Sequence, residues 1–246
     1  MSLRKALAVL DLLSQAPFEY RVSDISQATG INRTSVYRIV QALAKEDFLV
    51  YAPDTKKYKV GPLLHHVGSA YVNNFTWKEK VEETLESVAN ATKESVGFAV
   101  REGDKVISLY EVETHQPFRM NYRAGTLYPM NRGCYGKCLM AYHDQRRVEK
   151  LLRSQKFEKH LPNTLTKPDE ILAEYRKIRE HGFVVSDGET SSPAAVGVGV
   201  PVPGRSGEVK ACIVVAFIKG DDYEERITRY LAILKPHAAD LSRYLP

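Results

Sequence analysis

The chain has 246 residues, 43% of them hydrophobic and 26% charged, with 35 lysines and arginines against 30 acidic residues for a net charge of +5. That composition supplies core for one or two domains and excludes a disordered chain or a filament. The longest nearly unbroken apolar runs, Ala194–Val202 and Ala211–Ile218, fall well short of the roughly 18 residues a bilayer-crossing helix needs, and Cys134, Cys138 and Cys212 are odd in number, so the chain reads as a cytoplasmic protein without a disulfide framework.

Residues 1–60 hold nine Lys/Arg against six Asp/Glu, and that surplus lies between Ile31 and Lys59. Leu3, Ala6, Leu7, Leu10 and Leu13 repeat at helical spacing, which predicts a helix over Ser2–Ser14, closed by Pro17. Val22–Gly30 reads as a short helix that Ser23 can cap and Gly30 can end in the left-handed conformation. After a tight turn, Ser35–Ala44 places Val36, Ile39, Val40 and Leu43 on one face, with Arg33, Ser35, Tyr37, Arg38 and Gln41 largely off it. Helix, tight turn and helix is the arrangement that lays the second helix in a major groove. Phe48–Tyr51 and Tyr58–Val60 are strand-like around a turn carrying Lys56 and Lys57, a basic hairpin placed to meet flanking phosphates.

Pro62–Val72 is apolar-periodic and reads as a linker helix, with a boundary near Asn74. The expected division is therefore residues 1–61, 62–74 and 75–246. Thr76 and Glu79 have capping-box spacing ahead of a helix faced by Val81, Leu85, Val88 and Ala89. Ser95–Val100 and Lys105–Val112 predict a hairpin, Phe118–Tyr122 a further strand, and Pro129–Gly136 a loop into a helix over Lys137–Tyr142. Helices over Asp144–Ser154 and Pro168–His181 precede strands at Phe183–Val185, Ala195–Val202 and Val209–Ile218. A last helix, Asp221–Tyr244, should break or kink at Pro236. Strands and helices so segregated predict an α+β domain on an antiparallel sheet.

Ile25, Ala28-Thr29-Gly30, Thr34-Ser35-Val36-Tyr37-Arg38, Leu43 and Tyr58-Lys59-Val60-Gly61-Pro62 resemble, in order and spacing, the winged helix-turn-helix of the isocitrate lyase regulator (IclR) family. Tyr128-Pro129-Met130, Gly136-Lys137-Cys138-Leu139-Met140-Ala141 and Ile178–Phe183 continuing to Glu189 extend the resemblance over the whole chain. It implies a GAF-like effector-binding domain in which the backbone amides of Cys134 and Tyr135 meet the ligand's polar end and the side chains of Ser186, Val196, Ile213 and Val215 line much of the rest. It implies a dimer through the first and linker helices, or a tetramer of such dimers paired by the second domain, on a near-palindromic operator of double-stranded DNA.

The chain departs from the family by carrying Arg132, Cys134 and Tyr135 where the loop usually has small residues, and Ser186, Val196, Ile213 and Val215 where several members have an acid, a cysteine and two serines. The expected pocket is narrower and more apolar, suited to a largely apolar or aromatic carboxylate whose charge meets Arg132 or Arg123 rather than to a glyoxylate-like acid. For DNA, the expected contacts are Arg33, Tyr37, Arg38 and Gln41 in the groove, with Thr34, Ser35, Lys56 and Lys57 on phosphate. The reading is a DNA-binding regulator, with repression favoured as its mode.

The competing readings are a small-molecule enzyme and a thiol or metal sensor built on Cys134, Cys138 and His143, each with the amino-terminal domain serving to dimerise. Metal sites usually pair cysteines more tightly and twice over, and the other histidines, among them His115, lack partners at metal spacing. G-x-S-x-G, G-x-x-x-x-G-K and H-E-x-x-H signatures are missing. No catalytic residue, cofactor, metal or membrane partner is therefore expected.

Overall fold

A computed structural model describes residues 2–113 and 124–246, and the chain divides into two compact units, one ending at Phe75 and the other beginning at Thr76. The expected strand at Phe118–Tyr122, and with it His115 and Arg123, lies outside the described residues.

In the first unit, helices α1 (Leu3–Leu13), α2 (Val22–Thr29) and α3 (Arg33–Lys45) precede the hairpin β1 (Leu49–Ala52) and β2 (Lys57–Val60), then helix α4 (Pro62–Asn73). Ala6, Val9 and Leu13 of α1 bury against Ile25 of α2, Val36, Ile39 and Val40 of α3, and Leu49 and Tyr58 of the hairpin. Gly30 ends α2 at φ 68°, a conformation that costs glycine little, and Asn32 caps α3 by accepting the Ser35 N–H at 2.9 Å. The cap expected at Ser23 is instead Arg21, whose N–H donates to the Asp24 carboxylate at 3.0 Å. Sequence spacing identifies a helix there, but the side-chain oxygen that closes the first turn sits one residue later than expected.

In the second unit, helix α5 (Lys78–Thr92) leads into strands β3 (Ser95–Glu102) and β4 (Lys105–Val112), the short β5 (Leu127–Tyr128), and helices α6 (Cys134–Ala141), α7 (Gln145–Ser154) and α8 (Pro168–His181). Strands β6 (Val184–Asp187), β7 (Ala195–Pro203) and β8 (Val209–Ile218) and helix α9 (Tyr223–Leu241) complete it. The six strands run β5-β4-β3-β8-β7-β6 with every neighbouring pair antiparallel. Helices α5 and α9 cover one face, where Trp77 and Phe98 rings meet at 5.5 Å and Phe217 and Tyr230 at 5.2 Å. Helix α6 covers the other face, backed by α8.

Three expectations change at element ends. The Thr76–Glu79 capping box does not form, because α5 starts at Lys78 without a side-chain cap. Helix α6 begins at Cys134, three residues before the expected start, because Gly133 at φ 74° turns the chain directly into it. Helix α9 runs through Pro236 to Leu241. Proline removes one backbone donor, but buried Leu234, Ala238 and Leu241 hold both sides of it to the sheet, and His237 Nδ1 lies 2.8 Å from the Ile233 carbonyl oxygen.

Candidate nucleic-acid interface and effector site

On α3 the apolar stripe faces α1 and α2, so helical geometry turns Arg33, Thr34, Tyr37, Arg38 and Gln41 outward, all of them exposed. Ser35 sits half-buried in the first turn. Tyr37 is 55% exposed, a large aromatic surface left bare beside two arginines. The hairpin turn presents Lys56 fully and Lys57 partly to solvent.

The hairpin is fastened to the helices at three points. Tyr58 and Tyr20 exchange backbone hydrogen bonds of 2.8 and 3.0 Å, the Arg21 guanidinium donates to the Thr55 carbonyl at 3.2 Å, and Gln41 Nε2 donates to the Tyr58 hydroxyl at 2.7 Å. The last bond gives Gln41, expected in the groove, a partner within the chain: one N–H of its amide ties α3 to β2 while the side chain stays exposed.

In the second unit, strand register decides which expected pocket residues share a face. Ser186 lies opposite Gly197 on β7, and a Cβ placed at Gly197 would come 2.8 Å from Cys134 Sγ. At Gly97 the same construction meets the Tyr135 hydroxyl at 1.9 Å. The two glycines thus make room for the first two side chains of α6, and Cys134, Tyr135 and Ser186 come together. Val196, Ile213 and Val215 do not join them. Val196 pairs with Phe217, Ile213 with Phe98 and Val215 with Val96, and Phe98 and Phe217 face α5 and α9. Their immediate neighbours Gly197, Val214 and Ala216 occupy the α6 face instead, since a one-residue slip sends every side chain of a strand to the other side.

A charge network fixes the α6 end. Lys137, 1% exposed, donates to Glu189 at 2.6 Å, to Glu174 at 3.0 Å and to the Val185 carbonyl at 2.9 Å, so its three N–H donors are all used. Burial alone would lower its pKa, but Glu189 and Glu174 outweigh it and the net shift is upward. The second oxygen of Glu189 accepts from Gly133 N–H at 3.0 Å and Ser186 Oγ at 3.2 Å, placing a protein carboxylate at the positive end of α6. Neither Lys137 nor Glu189 was expected as a site residue. A lysine inside an apolar helical stretch followed by a distant glutamate is the only sequence signal of such a pair.

Arg132 stands just before α6, half-buried, its pKa lowered by burial, with Glu158 as the opposing charge. The thiols of Cys134 and Cys212 are pushed up by burial, which holds them protonated, and among the described residues no group of three or more His, Cys, Asp or Glu could hold a metal ion. Nor, among those residues, is any helix long and apolar enough to cross a membrane.

Comparison with known proteins places both units in one family. Residues 2–53 match the family model described as the IclR helix-turn-helix domain, and residues 69–243 match that of the bacterial transcriptional regulator IclR C-terminal region. The HTH-type transcriptional regulator KdgR of Escherichia coli (strain K12) is 23% identical over 241 residues, covering 98% of this chain and 91% of its own. The crystal structure of an IclR transcriptional regulator from Alicyclobacillus acidocaldarius superposes with a TM-score of 0.80 at 26% identity, covering 98% and 96% of the two chains. An IclR homologue from Microbacterium hydrocarbonoxydans, solved with 4-hydroxybenzoate, has a TM-score of 0.76 at 20% identity, covering 98% and 97%.

Proposed function

The chain belongs to the IclR family and is a DNA-binding transcriptional regulator rather than an enzyme; from that premise we propose that it is a dimeric repressor released from its operator by a small, largely apolar carboxylate. The observation that carries the DNA side is the exposed row of Arg33, Thr34, Tyr37 and Arg38 on α3 beside the lysines of the wing. Arg33, Tyr37 and Arg38 read base edges, while Thr34, Ser35, Lys56 and Lys57 contact phosphate, which orients without specifying.

Dimerisation through α1 and α4 is supported by what these helices leave bare. Leu3 and Leu7 are 73% and 56% exposed on α1, Val67 and Tyr71 are 54% and 38% exposed on α4, and no residue of α4 is buried within the chain. Two-fold pairing gives two recognition helices and a near-palindromic operator.

For the effector, the supported site is the α6 face at Cys134, Tyr135 and Ser186, bordered by Gly97, Gly197, Val214 and Ala216. Arg132 remains the cation proposed for the acid, and the aromatic acid named for the Microbacterium protein is of the same class. Division of the chain into a reading head over residues 1–61, a helix over 62–74 and a sensor over 75–246 is part of this proposal.

Fluorescence anisotropy with the DNA upstream of the chain's own gene, against a scrambled duplex at two salt concentrations, tests the reading. Preference for the native fragment, steeply weakened by salt and abolished by an aromatic acid, is the expected result. Equal weak binding to both duplexes would refute self-directed repression.

A further inference from the structure

Glu111 lies near the carboxyl end of β4 with both carboxylate oxygens shut off from solvent, no well-formed hydrogen bond to either, and only the Ser108 hydroxyl offsetting part of the cost of burial. An isolated buried carboxylate is among the costliest groups a fold can hold, so a residue with only a packing role at this place would be apolar or paired. A β-bulge puts it there. The β3–β4 register runs Ala99 with Ser108, then Phe98 with Tyr110, leaving Leu109 as the extra residue. Strict alternation from Val106 and Ser108 would bring Tyr110 onto the α6 face. The bulge sends Tyr110 to the α5 side, where it meets Trp77 and Phe98, and turns Glu111 inward opposite Gly97.

The surroundings of Glu111 are those of the effector site. A Cβ placed at Gly97 would stand 3.2 Å from Glu111 Cγ and 1.9 Å from the Tyr135 hydroxyl, so the carboxylate arm and the first turn of α6 converge on one glycine. Among the described residues no cation stands against Glu111 when it is ionised. Lys137 is already spent on Glu189 and Glu174, and Glu111 adds another acid with no basic partner among the described residues.

We propose that Glu111 is a specificity-determining residue of the effector site and that the effector presents a protonated amine to it. The effector is then a small zwitterion, an apolar body with an acid at one end and an ammonium at the other. The acid end rests on the reading above, whereas the ammonium end rests on Glu111. An ammonium supplies several donors and the missing positive charge together, while a hydroxyl would supply one donor and leave the charge uncompensated. The phenol of Tyr135 reaches from the start of α6 to Gly97, beside the Glu111 arm, so an aromatic acid carrying an amine is the probe chosen for this site.

Calorimetry on the full chain with 4-(aminomethyl)benzoate, with 4-ethylbenzoate of the same shape but no amine, and with benzylamine lacking the acid tests both ends separately. The expected result is that 4-(aminomethyl)benzoate binds at least roughly ten-fold more tightly than 4-ethylbenzoate, as a desolvated charge-assisted contact should give. Glu111→Gln, nearly isosteric, should erase that preference and leave the affinity for 4-ethylbenzoate within about two-fold, with circular dichroism melting showing the variant folded. Equal wild-type affinity for the two acids, or a preference that survives in Glu111→Gln, would overturn the role of Glu111 and leave the acid reading standing. Benzylamine binding that depends on Glu111, with neither acid bound more tightly than benzylamine, would support Glu111 and reject the acid end. Failure of all three to bind would overturn both.

Discussion

Arg38 and Lys56 illustrate how two exposed cations of one interface do different work. Both stand in solvent, but Arg38 is on the face of α3 proposed to enter a groove, while Lys56 is held at φ 56° in the hairpin turn. Arg38→Ala is expected to cost about 1–3 kcal/mol on the operator and to relax base preference, whereas Lys56→Ala weakens binding to every duplex alike and flattens the log–log salt slope by about one per subunit. Anisotropy titrations against operator and single-base variants at several salt concentrations separate the two. Inside the second unit, burial pushes the Glu111 carboxyl up to about 7 from an ordinary 4.5, with Ser108 opposing part of the shift and Glu113 adding to it. A carboxyl raised on folding keeps its proton longer in the folded chain than in the unfolded one, so its stabilising contribution is complete below about 4.5 and is lost as pH rises to about 7. Urea melts of wild type and Glu111→Gln across that window should show the wild type losing ground to the variant as pH rises; parallel curves would mean that Glu111 titrates normally.

At the scale of elements, the wing and the recognition helix form one body because the Gln41 amide, the Tyr58 hydroxyl and the Tyr20–Tyr58 bridge connect them. Gln41→Leu and Tyr58→Phe should each lower operator affinity, and the double variant should lose no more than either alone, since both remove the same bond. Additive losses would instead make Gln41 a base reader. Helix α6 is set equally closely: a Cβ at Gly136 would fall 1.8 Å from the Pro129 carbonyl oxygen, a backbone atom with no freedom to swing aside. Gly136→Ala is expected to destabilise the second unit by about 1–3 kcal/mol or more in denaturant unfolding, the cost of forcing volume into a packed contact.

The helix-turn-helix was legible in the sequence because each signal there is local: a 3.6-residue apolar stripe, a glycine at a left-handed end, a charge surplus on the outer face. The pocket wall was not. Residues 211–217 of β8 are buried on both faces, so they carry no alternation of polarity from which inward and outward could be told. Only their pairing with Gly97, Gly197 and Phe98 shows that Val214 and Ala216, not Ile213 and Val215, face α6. Glu111 escaped for the same reason, since a bulge at Leu109 reverses the parity that its spacing suggests. Lys137 and Glu189 are 52 residues apart, a separation over which a single sequence holds no record of contact.

For the whole molecule, the proposed pairing of two chains rests on the apolar residues that α1 and α4 leave exposed. Leu3, Leu7, Val67 and Tyr71 are all exposed apolar side chains that a partner chain could cover. Leu7→Glu should yield monomers in size-exclusion chromatography with light scattering and abolish operator binding, while leaving the second unit able to bind effector by calorimetry. A Leu7→Glu chain that stayed dimeric would place the dimer contact elsewhere.

The commitment of Gln41 to Tyr58 also bears on how such a regulator can change its target. If Gln41 holds the reading helix to the wing as proposed, the outward positions 33, 37 and 38 can be exchanged without disturbing the frame that presents them. On the proposed assignment, new operator preferences are reachable by drift or by design at three surface sites, whereas a substitution at Gln41 would alter the reading of every sequence at once.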